Sequence, residues 1–137
     1  MKFENSEYFK ILNPTKLVMP FGTYYLCEKF LIVELDEGVH FDWDKAEQII
    51  KKVFEFYGDD AIIGFISNRI NHYSVDPNNW KKVEEKYSLI IASAIVMYNS
   101  STYMNASIEK QFTQKSIKRC LSLKEAIDWM QNLKEFN

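Results

Sequence analysis

Residues that break regular structure are few in this 137-residue chain, which has four glycines and three prolines. That scarcity leaves little room for a flexible linker or long irregular loops, and no low-complexity tract or internal repeat is present. Cysteine is as scarce. Cys27 and Cys120 stand in separate apolar runs with no CxxC or His-rich spacing, so they read as small buried hydrophobes and not as a disulfide framework or zinc ligands. Charge of one sign is also lacking: the formal net charge is −2 and the lysines are scattered, which gives no footprint for nucleic acid or anionic lipid. No apolar run approaches the ~20 residues of a membrane span, and the start, MKFENSEYFK, has no signal-peptide core. The expected compartment is the cytosol, with no membrane partner.

Catalytic signatures are missing as well. The chain contains no GxSxG, P-loop, GxGxxG, HExxH or cysteine-nucleophile motif. Its two histidines, His40 and His72, lie on separate predicted loops and, even with Asp42 beside one of them, show no metal-ligand spacing. No catalysis, metal or cofactor is expected.

What the sequence does hold is apolar content sufficient for one core: 47% hydrophobic and 15% aromatic residues in a length suited to a single domain. Residues 1–14 carry Phe3, Tyr8, Phe9, Ile11 and Leu12 without a persistent period and close on Asn13-Pro14, which reads as an N-terminal extension to a domain of residues 15–137. That much apolar surface must cover something, either the chain's own sheet or a homodimer contact. LVMPFGTYYLC from Leu17 and FLIVEL from Phe30 read as a hairpin through Glu28-Lys29. A helix follows, capped by Asp42 or Asp44, in which Trp43, Ala46, Ile49, Ile50, Val53, Phe54 and Tyr57 hold a helical spacing and Gly58 is its stop.

The next apolar run, Ala61 to Ile66, predicts a buried strand, and Asp76-Pro77 begins a helix on which Trp80, Val83 and Tyr87 form one stripe. SLIIASAIVMY, from Ser88, suits a strand covered on both faces and lying mid-sheet. A third helix with a stripe of Met104, Ile108 and Phe112 leads to a short strand from Ile117. Ser122 and Glu125 form a capping box for the last helix, with Leu121 and Ala126 placed as a hydrophobic staple. The order is ββαβαβαβα. It implies an α/β fold with a mixed, mostly parallel sheet of four or five strands and about four helices.

The hairpin TYYLCEKFLIVELDEG, the strand AIIGFIS, the strand LIIASAIVMY and the closing SLKEAIDWM together resemble the STAS and SpoIIAA-like family over about Gly22 to Leu133. The resemblance implies a small bacterial module for binding or regulation. In the anti-sigma-factor-antagonist branch a phosphorylatable serine sits where the loop after AIIGFIS meets the next helix, and Ser74 falls near that place. Tyr73 stands in the position of that motif's aspartate, and Val75-Asp76-Pro77 follows in place of its glycine. A turn or capping role for Ser74 is the other reading.

In an open parallel sheet the loops at the carboxyl ends of the strands gather on one edge where ligands bind. Here those are Asp36 to Asp42, Ser67 to Asp76 and Tyr98 to Tyr103. They nominate Asn68, Arg69, His72, Tyr73, His40 and Asn99 as a binding edge, with Arg69 offering a planar fork to a carboxylate or phosphate. Alternatively, Arg69 fastens the loops by pairing with Asp36, Glu37 or Asp76. Two functions follow. One is a regulatory or protein-interaction module that meets another protein through this edge. The other is a carrier or sensor of a small apolar or acidic ligand, which requires an apolar cavity of about 300 Å³ or more for which Trp43, Tyr73, Trp80 and Met104 are candidate linings.

Overall fold

The structure, a computed structural model, describes residues 1–113, 115 and 117–136, with the backbone alone for residues 101–103. Over these residues the strands are β1 (Thr15–Met19), β2 (Gly22–Leu26), β3 (Phe30–Leu35), β4 (His40–Phe41), β5 (Ile63–Asn68), β6 (Ser74–Val75), β7 (Ile90–Val96) and β8 (Ile117–Cys120). The α-helices are α1 (Tyr8–Leu12), α2 (Trp43–Tyr57), α3 (Asn78–Lys86), α4 (Ser100–Glu109) and α5 (Leu123–Gln131). Six strands form the main sheet in the order β1-β2-β3-β5-β7-β8, and β4 pairs with β6 in a small parallel bridge. The first two pairings are antiparallel and the remaining three parallel.

The sheet is therefore mixed and mostly parallel as expected, but with six strands where four or five were read. The difference lies in LVMPFGTYYLC, which is two strands and not one. Pro20 lacks the amide that a continuous ladder would need, and the chain reverses at Pro20-Phe21 so that Met19 pairs with Gly22. The fifth helix is α1, inside the segment read as an extension.

From β3 onward each new parallel strand is added on the same side of its predecessor, so right-handed crossovers send α2, α3 and α4 to one face of the sheet. Alternation along the strands sorts the core accordingly. Tyr24, Leu31, Val33 and Leu35 point to the helical face and pack with Ile49, Ile50, Val53 and Val83. Tyr25, Phe30, Ile32, Ile66, Ala94 and Val96 point to the opposite face. Among the described residues no crossover helix contributes to that second face. It is covered by the two ends of the chain: α5, through Leu123, Ala126, Ile127 and Met130, and the N-terminal segment, through buried Phe3 with Tyr8, Phe9 and Leu12 packed around it.

The helix ends follow local chemistry. Asp42, not Asp44, caps α2, its carboxylate accepting the Lys45 amide at 3.1 Å. Asp76 accepts the Asn78 amide at 3.0 Å at the start of α3, across Pro77. Ser122 Oγ accepts the Glu125 amide at 3.1 Å, and Glu125 reaches back to the Leu121 amide at 3.0 Å, one residue earlier than a standard box. The staple is absent, because Leu121 is 76% exposed. The stripe read on α4 is also reversed. Met104 and Ile108 face outward, while Ala106 and Glu109 are buried.

Candidate functional site

At the carboxyl ends of β3 and β5 the loops are tied directly to one another. Gly38 donates its amide to the His72 carbonyl at 2.7 Å, and the His72 amide donates to Glu37 Oε2 at 2.8 Å. Asn71 Nδ2 donates to the Leu35 carbonyl at 2.9 Å, and the β4–β6 bridge sets His40 opposite Ser74, with His40 Nδ1 and Ser74 Oγ 2.6 Å apart. These contacts join stretches more than thirty residues apart in sequence. The edge is thereby ordered by its own hydrogen bonds.

The residues nominated from sequence do not all share this surface. His40, His72, Ser74 and Asn99 lie on the exposed edge. Arg69 turns inward and is 7% exposed. Its guanidinium grips Glu109 with Nη1 to Oε2 at 2.6 Å and Nη2 to Oε1 at 2.8 Å, and its Nε donates to Ser67 Oγ at 3.2 Å. Trp80 Nε1 completes the arrangement with a bond to Glu109 Oε1 at 2.9 Å. Burial works against the Arg69 charge, but the hydrogen bonds and charge of Glu109 outweigh it and raise its pKa above the ordinary value. The fork foreseen for an incoming acid is therefore filled from within the chain. Its partner is Glu109 on α4, and not Asp36, Glu37 or Asp76.

Tyr73 also points inward, its hydroxyl 3.1 Å from Ser67 Oγ and its ring 5.7 Å from the Arg69 guanidinium carbon. Burial raises its pKa, with Arg69 pulling the other way. Asn68 turns to the opposite face and is fully buried. Its Nδ2 donates to Glu34 Oε2 at 2.7 Å and to the Met1 carbonyl at 2.9 Å, while its Oδ1 accepts Tyr98 Oη at 2.7 Å. Glu34 accepts the Phe3 amide as well, at 2.8 Å, so this buried carboxylate anchors the N-terminal segment to the end of the sheet.

Sequence reading missed Glu34, Glu109, Tyr24 and Asn79. A glutamate three residues after an inward alanine on α4 carries a helical-period signal that would have placed Glu109 inside, had the apolar stripe not been read through Met104 and Ile108. Glu34 is the next-to-last residue of FLIVEL, where a lone acid in an apolar strand marks a buried polar contact.

Beneath Arg69 and Tyr73, between the sheet and helices α2 and α3, lies a cavity of about 80 Å³. Tyr73 and Trp80 line it, as foreseen; Trp43 and Met104 do not. Its lining is almost wholly apolar, and the hydroxyl of Tyr24 and the amide oxygen of Asn79, two residues of that lining, are buried out of reach of a water-sized guest. Burial, and secondarily the proximity of Tyr73, holds the Tyr24 phenol well above its ordinary pKa, so it remains protonated.

No family model matches this chain, and neither does any curated protein. Among solved structures, one of an uncharacterized protein of the DUF3478 family with a SpoIIAA-like fold, from Shewanella loihica PV-4, is similar over 85% of this chain and 91% of that one. The TM-score is 0.54 and the sequence identity 13%. Strand order, crossover helices and that likeness agree on one architecture: the chain adopts a SpoIIAA-like α/β fold.

Proposed function

We propose that the protein is a non-catalytic regulatory module that engages another protein through the loops at the carboxyl ends of its parallel strands. The observation that carries this reading is the set of ties among those loops, above all the Gly38–His72–Glu37 pair of hydrogen bonds. A surface already fixed in shape loses little conformational entropy on association, which favours recognition by a rigid edge. The buried Arg69–Glu109 pair adds to this by fastening α4 behind the edge.

His40, His72 and Asn99 would meet the partner, since they stand on the exposed rim while Asn68, Arg69 and Tyr73 support it from below. Ser74 is exposed and pairs with His40, so a phosphate there would break the His40 contact and place negative charge near the start of α3. The module would then be switched by modification, in keeping with the fold it shares.

The test is a photo-crosslinking residue introduced at His72 or Asn99, with Val18 on the far edge strand as the control, in cells of the native host. A discrete adduct at the first two positions, lost when His40 is changed to Ala without a change in urea midpoint, is the expected result. Identical adducts from all three positions would refute the edge as an interface.

A further inference from the structure

We infer that the cavity between the sheet and helices α2 and α3 is a binding site for a small apolar molecule, of the class of light hydrocarbons, and that its guest braces the bridge of β4 and β6 above it. This inference is independent of whether the edge meets a partner. It rests on how the two bridge strands divide their side chains. His40 and Ser74 pair on the exposed rim, whereas Phe41 and Val75, the next residue of each strand, pair with one another and line the cavity. The bridge is thus a roof with a polar outer side and an apolar inner one. It is tied to the start of α3, because the Phe41 carbonyl accepts the Asp76 amide at 3.1 Å and Asn79 Nδ2 at 2.9 Å.

The other walls are apolar. Val33 comes from the sheet, Ala46, Ile49 and Ile50 from α2, and Val83 from α3. The polar side chains of the lining are engaged elsewhere or out of reach. Arg69 binds Glu109 through both terminal nitrogens, and its Nε and the Tyr73 hydroxyl both meet Ser67 Oγ. A water molecule seeks 2–4 polar partners, which such a lining does not supply. A hydroxyl, amide or charged head would lose its hydration here with nothing in exchange. An apolar guest has no such loss, and it gains dispersion contacts with walls that otherwise face a gap.

Volume sets the class of guest. The cavity's 80 Å³ or so is roughly half the ~150 Å³ of an apolar cavity that accepts benzene, which limits a guest to about two or three carbon atoms. The cavity of about 300 Å³ expected of a carrier is therefore not this one. A guest in this space touches Phe41 and Val75 from below, so the roof lifts only by giving up those contacts. Opening the roof and releasing the guest are then one event, and occupancy stabilises the closed bridge by mass action.

The experiment is a methyl-NMR titration of the whole protein with propane under pressure, beside 2-propanol as its hydroxylated counterpart. Propane should give saturable shifts of the Ile49, Ile50, Val75 and Val83 methyls, and 2-propanol should bind at least about 10-fold more weakly, the cost of a hydroxyl without a partner. At a propane concentration equal to Kd, exchange of the Ser74 and Asp76 amides, which donate to the Val39 and Phe41 carbonyls, should slow about 2-fold. Ala46→Leu, which fills the cavity from α2, should abolish the shifts. Should that variant fail to fold, Val83→Ala, which enlarges the cavity, should admit benzene where the wild type excludes it. A wild type without saturable propane shifts, or 2-propanol binding as tightly as propane, would overturn the inference. So would saturation that leaves both amides exchanging at their free rate, because the guest would then not brace the roof.

Discussion

Arg69 and Glu109, forty residues apart in sequence, face each other through two parallel hydrogen bonds of 2.6 and 2.8 Å inside the helical face of the sheet. One belongs to the end of β5 and the other to the end of α4, so the pair sets how the third crossover helix sits on the sheet. Removing one partner strands a buried charge. Glu109→Ala should cost about 3–5 kcal/mol, whereas Arg69→Met with Glu109→Leu should come close to wild type or exceed it. Urea midpoints of the two single variants and the double variant check this; additive losses would mean that the pair is not coupled.

Capping at α3 and α5 makes a smaller claim. Asp76→Ala and Ser122→Ala should each lower stability by about 0.5–2 kcal/mol with circular dichroism unchanged, because each side chain satisfies an otherwise unpaired first-turn amide. Unmoved midpoints would show that water replaces those bonds at no cost.

The N-terminal segment is integral to one core. Phe3 is fully buried, stacked edge-on to Phe9 and tilted against Tyr25 at centroid distances of 5.8 and 4.9 Å. Phe3→Ala should cost about 3–5 kcal/mol. Removing residues 1–6 should cost at least as much, since Glu34 and Asn68 then lose the Phe3 amide and the Met1 carbonyl. A truncated protein that melts like the full chain would disprove the arrangement.

At Gly64, the absence of a side chain is what admits α5. An added Cβ would stand 2.2 Å from Met130 Sδ, inside a core where Met130 is fully buried. Gly64→Ala should destabilise by about 1–3 kcal/mol through overpacking, and Met130→Ala in the same chain should recover part of that loss. Recovery absent in the double variant would place the strain elsewhere.

Alkali should weaken the fold. Burial pushes the Cys27 and Cys120 thiols up to about 12, against about 8.5 in an unfolded chain, and burial likewise raises the Tyr24 and Tyr57 phenols. The unfolded chain gives up these protons first, so stability is complete below about pH 8.5 and declines as pH climbs toward about 12. Urea midpoints between pH 8 and 11 should fall steadily, and native thiols should resist alkylation at about pH 8.5. A flat profile with freely alkylated cysteines would contradict their burial.

The parallel half of the fold was legible because its strands are uninterrupted apolar runs and its helices carry amphipathic spacing between recognisable caps. The first strand was hidden by composition: buried Phe21 makes the Pro20-Phe21 turn look like the middle of one longer strand. The loops of the edge were correctly grouped, since topology alone brings strand ends together. Which way each side chain turns was not readable, because Asn68 and Arg69 are neighbours in sequence yet leave the end of β5 on opposite faces. The partners that decide this, Glu34 and Glu109, are fixed by packing and not by any local pattern. Tyr24 and Asn79 were invisible for a related reason: nothing local marks a tyrosine in a strand or an asparagine in a helix as buried.

The face of the sheet covered by both chain ends has a consequence for the order of assembly on the ribosome. Phe3, Tyr8 and Phe9 are made before the sheet, but the α5 residues that share their core, Ala126, Ile127 and Met130, are made after it. Synthesis proceeds at about 5–20 residues per second, so these apolar side chains wait several seconds for their α5 neighbours. The helical face can close strand by strand during that interval, because α2 follows β3 and α3 follows β5 directly. The other face cannot. Nascent chains halted before Leu123 would therefore carry one finished side and one adhesive side, which the few turns of α5 then seal.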